Sequence, residues 1–297
     1  MLNIRVGTRG SKLALAQTNT VLKQLTNQDL SSDTVIINTS GDKVLDRDLH
    51  QVGSIGLFIN ELDTSLLNGS IDIAVHSMKD IPTDRPTGLI TAAVLHRDTP
   101  TDFLVSNIPI DEIHTIGTSS MRRRAQLLRN FKSKYQFKVD SLRGNLDTRL
   151  LKLKKGKYDA IVVAEAGLER LNYNVSGVRL PYTPFVPSPN QGTIAIVCRK
   201  DFKYIDTIKS LNDDQTKFDT TVERIIMEKI GGGCFIPAGI YCQNNRLVAE
   251  VLSIDGSKSC RIDERVSSIS DAVDIGKQFY ESASDIITET RNIIGLR

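Results

Sequence analysis

Gly69-Ser70-Ile71-Asp72-Ile73-Ala74-Val75 and Gly156-Lys157-Tyr158-Asp159-Ala160-Ile161-Val162 follow one design. Each opens on a glycine suited to the left-handed backbone that closes a helix. An aspartate follows, then a run of apolar and β-branched residues of strand length. Upstream of each lies a second matching stretch. Val6-Gly7-Thr8 precedes Ser11 and an apolar-periodic segment, and Ile116-Gly117-Thr118-Ser119-Ser120 precedes another. Strand, hydroxyl-capped helix, glycine and strand thus occur twice in the same order. The pattern predicts an α/β protein with two domains of similar plan, changing over near residue 98. Because the repeat is short, chance similarity between two ordinary βα units is the competing reading.

Outward from these stretches, strands are predicted over Arg5–Thr8, Thr34–Thr39, Ile71–Val75 and Thr193–Arg199. Helices are predicted over Ser11–Asn27, Leu57–Asn68 and Asp213–Lys229. Pro181–Pro189 reads as a loop. Beyond Gly231-Gly232-Gly233 the pattern changes to a strand meander, Ala238–Tyr241, Leu247–Ser253 and Ser259–Arg265. Turns fall at Asn244-Asn245 and Asp255-Gly256, and a helix near Ser270–Asn292 follows. This predicts a small α+β third domain. The expected division is 1–98 with a return segment at about 193–212, 99–192 with a return at about 213–232, and 233–297.

The chain has 297 residues, 40% hydrophobic and 25% charged, enough for sizeable cores without disulfide staples. Its four cysteines, Cys198, Cys234, Cys242 and Cys260, lie far apart with no Cys-x-x-Cys, so no structural zinc is expected. The N-terminal residues run straight into a strand-like segment without a signal-peptide pattern, and no apolar run reaches membrane-spanning length. A cytoplasmic protein is expected. The net charge of +3 hides an asymmetry: residues 118–157 hold thirteen basic side chains against two acidic ones. Such a block suits a polyanionic partner, either nucleic acid or a substrate with many carboxylates. For the lysines at 152–157 a solvated face is the better reading.

Five segments can carry chemistry. Gly117-Thr118-Ser119-Ser120-Met121-Arg122-Arg123 ends a strand and starts a helix, where free N–H groups and the dipole favour anions. Capping explains Ser119 or Ser120. It does not explain arginines in a first turn, where the dipole disfavours positive charge, and an anion site does. Gly7-Thr8-Arg9-Gly10-Ser11 repeats the device. In Ser141-Leu142-Arg143-Gly144-Asn145-Leu146-Asp147-Thr148-Arg149, Asn145 is expected to cap a helix between two arginines. In Ala74-Val75-His76-Ser77-Met78-Lys79-Asp80-Ile81-Pro82 a buried strand delivers polar residues at its carboxyl end, the ligand-binding end of open α/β sheets. Asp80 can serve as acid/base and Lys79 as an anion contact; a local surface Lys-Asp pair explains the same residues. Gly231-Gly232-Gly233-Cys234 puts a thiol on a glycine loop after a helix C-terminus, where the dipole does not activate it. Cys234 therefore suits a highly reactive electrophile rather than protease-like attack. Cys198, Cys242 and Cys260 read as packing residues in strands.

Taken in order, these segments resemble the hydroxymethylbilane synthase (porphobilinogen deaminase) family over nearly the whole chain. The resemblance implies two domains similar to type II periplasmic binding proteins, with a cleft between them, plus the small C-terminal domain. It implies a dipyrromethane cofactor held by a thioether to Cys234. Four porphobilinogen molecules would be added head to tail with loss of ammonia, and the linear tetrapyrrole released by hydrolysis. Asp80 would be the catalytic carboxylate. Lys79, Asp42, Thr118, Ser119, Ser120, Arg122, Arg123, Arg143 and Gly144 would hold the cofactor. Arg9, Ser11, Phe58, Arg149, Arg170 and Gln191 would hold substrate and the growing chain. No metal is implied. The implied partner is the small molecule alone, with neither nucleic acid nor membrane, on a monomer. One departure stands in Val52-Gly53-Ser54-Ile55-Gly56-Leu57-Phe58, where Ile55 replaces a lysine frequent in the family, and Gln51 and Asn60 stand where basic residues are frequent.

Two other functions compete. An RNA-binding protein would use the basic block, but aromatic residues are 5% and Trp is absent, so stacking platforms are scarce. A non-catalytic small-anion receptor would use the same two-domain plan and gives no reason for a glycine-flanked cysteine.

Overall fold

The computed structural model describes residues 3–39, 59–83, 85–231 and 235–295 of the chain. Two compact units divide it. The first is formed within 1–98, 169–172 and 192–217, the second within 99–168, 173–191 and 218–297.

The repeat quoted above is real and has a physical basis. Gly69 and Gly156 both take the left-handed backbone, at φ 75° and 68°. In the first unit, the Asp72 carboxylate accepts from the Arg5 N–H at 2.8 Å, while the Asp72 N–H donates to the Arg5 carbonyl at 2.9 Å. In the second, the Asp159 carboxylate accepts from the Thr115 N–H at 2.8 Å, and the Asp159 N–H donates to the Thr115 carbonyl at 3.0 Å. The aspartate thus docks the entry of one strand onto the parallel strand beside it.

The first unit is a five-stranded sheet in the order Ser31–Ile36, Asn3–Thr8, Ile73–Ser77, Ile194–Arg199, Leu89–Val94. The first three strands are parallel, and Ile194–Arg199 runs antiparallel to both its neighbours. Helix Lys12–Thr26 covers one face through Val21 and Leu25, packed with Val6, Ile73, Val75 and Ile196. Helix Asn60–Leu67 covers the other through Leu62 and Leu66, packed with Ala74, Ala195 and Val197. Burial on both faces explains why these strands read as continuous apolar runs.

The second unit repeats this order: Lys138–Asp140, Thr115–Gly117, Ala160–Ala164, Asp102–Ser106, Gly177–Leu180. Again the first three are parallel and the fourth, Asp102–Ser106, is antiparallel to its neighbours. In the first unit the fourth strand comes from late in the chain; in the second it is the entering segment. The second unit also contains an antiparallel meander, Ala238–Gln243, Arg246–Leu252 and Ser259–Arg265. Its core is shared with helices Asp214–Lys229 and Ile269–Ile294. Asn244 and Asn245, both at positive φ, make the tight turn of the first hairpin.

Two expected strands are shifted along the chain by two or three residues. The expected Thr34–Thr39 lies at Ser31–Ile36, because pairing with Asn3–Thr8 begins at Ser31. This is an exposed edge strand, and apolar pattern marks such strands poorly. The expected Ile71–Val75 lies at Ile73–Ser77, since His76 and Ser77 continue the ladder opposite Ala195 and Ile194.

Gly256 offers a check on the packing of the meander. Its φ is +72°, and an added Cβ would stand 2.4 Å from the Ala125 carbonyl oxygen in helix Met121–Phe131. Gly256→Ala is expected to destabilise by about 2 kcal/mol or more, since left-handed backbone alone costs about 1–2 kcal/mol. A urea titration reads this; a midpoint equal to the parent's would refute the close approach.

Candidate functional site

In the first unit, strand Asn3–Thr8 leads into Arg9, and the Ser11 hydroxyl caps helix Lys12–Thr26 by accepting from the Ala14 N–H at 3.3 Å. Strand Ile73–Ser77 runs into a single 3₁₀ turn, Met78–Asp80. The turn is anchored where the Met78 N–H donates to the Thr193 carbonyl at 2.9 Å and the Ile81 N–H to the Met78 carbonyl at 3.1 Å. Lys79 and Asp80 are exposed on it. Asp80 forms no ion pair with another described residue. His76 is buried and its pKa falls to about 3, through burial first and then the nearby charges of Arg85 and Arg9. It is therefore neutral at physiological pH and is no candidate proton carrier there. Arg170, at the end of helix Glu165–Arg170, donates through Nε to Asp98 at 2.7 Å and through Nη2 to the Gly192 carbonyl at 2.6 Å. It lines an open cavity of about 350 Å³ with Thr20, Gln24, His96 and Asp98.

In the second unit, Thr118 is buried at the end of strand Thr115–Gly117, and its hydroxyl accepts from the Ser120 N–H at 3.2 Å. Ser120 caps helix Met121–Phe131 by accepting from the Arg123 N–H at 3.4 Å. Ser119 turns instead to the neighbouring loop, where its hydroxyl donates to the Leu142 carbonyl at 2.8 Å. That contact joins two of the segments singled out in the sequence. In the second of them, Gly144 takes φ 113°, and its carbonyl accepts from Arg149 Nε at 2.7 Å. The Arg143 carbonyl accepts from Lys152 Nζ at 2.9 Å. Arg143 and Arg149 are both half-buried. Asn145 occupies the N-cap position of helix Leu146–Lys154, but its side chain makes no capping bond, contrary to expectation.

Arg122 and Arg123, read as anion ligands rather than surface arginines, lie in the interior. They are only 5% and 8% exposed. Arg122 Nη2 donates to Asp102 Oδ2 at 2.8 Å, and its Nη1 to Gln126 and the Val186 carbonyl, each at 2.9 Å. Arg123 Nη2 donates to Asp102 Oδ1 at 2.7 Å, and its Nη1 to the Val162 carbonyl at 3.0 Å. Gln191 Nε2 donates to the same Oδ1 at 2.8 Å. Burial alone would raise the Asp102 carboxyl. The Arg122 and Arg123 charges, with the bonds from Arg123 and Gln191, outweigh it and hold the group well below the usual carboxylate range. Removing positive charge from a first helical turn by itself favours the helix, but losing a buried ion pair outweighs it. Arg122→Ala is expected to cost about 3–5 kcal/mol, the usual effect of breaking a buried ion pair. Urea denaturation of the variant checks this, and a loss within about 1 kcal/mol would contradict it.

Asp102 is the residue that the sequence reading missed. Its signal is an acid directly before the apolar run Phe103-Leu104-Val105, at the start of a strand that is otherwise largely buried. Glu223 was missed as well. From helix Asp214–Lys229 it accepts from the Asn190 N–H at 2.5 Å and the Cys242 N–H at 2.8 Å.

Asp42, Phe58 and Cys234, with the Ile55 segment, lie outside the described residues. The other cysteines sit in strands, Cys198 and Cys242 buried and Cys260 half-buried. Burial pushes the Cys198 thiol up to about 11. Among the described residues no cluster of His, Cys, Asp and Glu could hold a metal ion, and no helix is long and apolar enough to cross a membrane.

Two sequence models match the chain. Residues 4–207 match "Porphobilinogen deaminase, dipyromethane cofactor binding domain", and residues 217–284 match "Porphobilinogen deaminase, C-terminal domain". A protein of Methanosarcina acetivorans named "Probable porphobilinogen deaminase" is 44% identical over 96% of this chain and 93% of its own. One of Archaeoglobus fulgidus with the same name is 43% identical over 93% of this chain and 97% of its own. Among solved structures, a nutrient-binding protein of Burkholderia cenocepacia bound to methionine aligns with a TM-score of 0.41 at 13% identity, over 69% of this chain and 89% of its own. The two α/β sheets of one plan, the small C-terminal sheet, and sequence identity spread across both units agree: this chain belongs to the porphobilinogen deaminase (hydroxymethylbilane synthase) family, enzymes of the transferase class that serve tetrapyrrole biosynthesis.

Proposed function

We propose that this chain joins four porphobilinogen molecules head to tail on a dipyrromethane primer bound through a thioether to Cys234, and then releases the linear tetrapyrrole by hydrolysis. The observation that carries the reading is Asp80: an exposed carboxylate with no ion-pair partner among the described residues, on a tight turn at the carboxyl end of a buried parallel strand. A carboxylate held on a rigid element and not already neutralised suits a reaction in which positive charge develops.

In each addition the aminomethyl C–N bond of porphobilinogen breaks and ammonia leaves. A C–C bond forms to the α-carbon of a pyrrole, which gives up its proton. Asp80 stabilises the cationic carbon–nitrogen system and carries protons at its carboxylate oxygens. Arg9, Ser11, Phe58, Arg149, Arg170 and Gln191 hold the carboxylates and rings of substrate and chain, and Lys79 holds the primer. Thr118, Ser119, Ser120, Arg122, Arg123, Arg143, Gly144 and Asp42 serve the primer. When bound, the primer supplies a pyrrole α-carbon as the first nucleophile. A group bearing several carboxylates fits the second unit, where the Arg123 Nε–H is buried without an acceptor beside a helix N-terminus. We assign the enzyme to the cytoplasm as a monomer, with neither nucleic acid nor membrane as partner. The scarcity of aromatic residues supports the exclusion of nucleic acid.

Intact-mass measurement of the native protein tests the reading. A mass higher by one dipyrromethane, with ammonia released from added porphobilinogen, is expected. The bare chain mass with no ammonia release would overturn it.

A further inference from the structure

We propose that Asp102 is the positioning residue of the second unit's anion site, holding Arg122, Arg123 and Gln191 in one fixed array. This rests on the assignment of those three residues to primer and substrate. The geometry supports it in three ways. Asp102 opens a strand paired on both sides, opposite Ala164 and Leu180, so its own position is rigid. Both carboxylate oxygens are in use, Oδ2 by Arg122, and Oδ1 by Arg123 and Gln191. The carboxylate thus fixes one fork of each guanidinium, and carbonyls of Val186 and Val162 fix the other. A long side chain with both forks held loses its rotamer freedom at folding rather than at binding.

The cluster has two cations and one anion, so an excess positive charge remains to attract carboxylates. It also keeps a donor in hand, because Arg123 Nε is buried without an acceptor. Gln191 is held from behind as well: the preceding residue, Asn190, takes the left-handed backbone at φ 62°, and its N–H donates to the Glu223 carboxylate. A counter-ion needed only for folding would explain the two ion pairs. It would not require the carboxylate also to fix a glutamine 89 residues away.

The test separates charge from position. Asp102→Asn keeps the shape and removes the charge; Asp102→Glu keeps the charge and moves it by one methylene. Leu127→Ala, in the same helix as the arginines and buried in the unit's core, supplies a destabilised control outside the array. Each is purified as the full chain. Primer occupancy is read by intact mass, KM and kcat with porphobilinogen, and stability by urea midpoint. In both Asp102 variants primer occupancy is expected to fall several-fold, or KM to rise about ten-fold or more with kcat changed far less, as a misplacement of about 1 Å allows. Leu127→Ala should lose stability and keep both. Three results would overturn the proposal: Asp102→Glu with parental occupancy and KM, Leu127→Ala with the same functional losses, or both Asp102 variants failing to fold while Leu127→Ala folds. A parent chain with neither primer nor turnover would sink the functional assignment itself, which the parent measurement reveals before any variant is compared.

Discussion

Asp80→Asn is expected to retain the primer and to slow elongation by about 10²–10⁴-fold or more, the range for loss of an acid/base group. Asparagine matches aspartate in size and can still accept a hydrogen bond. It can neither balance a cation nor take up a proton. Asp80 is exposed and lies on a turn fixed by backbone bonds of Met78 and Ile81, so the substitution removes no buried partner and folding is expected to be unchanged. Loss of charge stabilisation adds to loss of proton transfer, which makes this the largest effect expected from a change of so few atoms. Single-turnover reaction of the primer-bearing protein with porphobilinogen, followed by mass spectrometry of the enzyme-bound chain, measures it. Elongation within a few-fold of the parent rate would remove Asp80 from catalysis.

Cys234→Ala is expected to fold, to carry no primer and to show no turnover. The alternatives for attachment are poor on physical grounds. Cys198 and Cys242 are fully buried within sheet cores, and a group the size of two pyrrole rings cannot join either thiol without opening its strand. Cys260 is half-buried on strand Ser259–Arg265, and burial raises its thiol pKa. Peptide mapping of the native protein should find the added mass on the fragment holding Cys234. Its presence on any of the other three would refute the attachment, while leaving the role of Asp80 open to its own test.

The doubled fold was legible because its signals are local. A glycine that must turn left-handed and a hydroxyl at a helix start each depend on a few adjacent residues. Gly69 and Gly156, and Ser11 and Ser120, do what their settings imply, whereas the strands that Asp72 and Asp159 reach, 67 and 44 residues away, show only in the fold. The edge strand Ser31–Ile36 was misplaced because an exposed strand has little apolar alternation to read.

Arg122 and Arg123 show where local reasoning ends. Two arginines in a first helical turn do call for an anion, as the dipole argument holds. Which anion answers is decided by strand order: Asp102–Ser106 lies antiparallel beside Ala160–Ala164 and delivers a carboxylate from 20 residues away in sequence. The chain alone therefore determines the two-fold α/β plan, the hydroxyl and arginine segments, the acid Asp80 and the cysteine Cys234. Tertiary structure alone decides that the arginines are buried, that Asp102 and Gln191 join them, and that Glu223 pins the turn before Gln191. Backbone conformation is set by nearest neighbours, whereas the partner of a buried charge is set by which strands the folded sheet brings side by side.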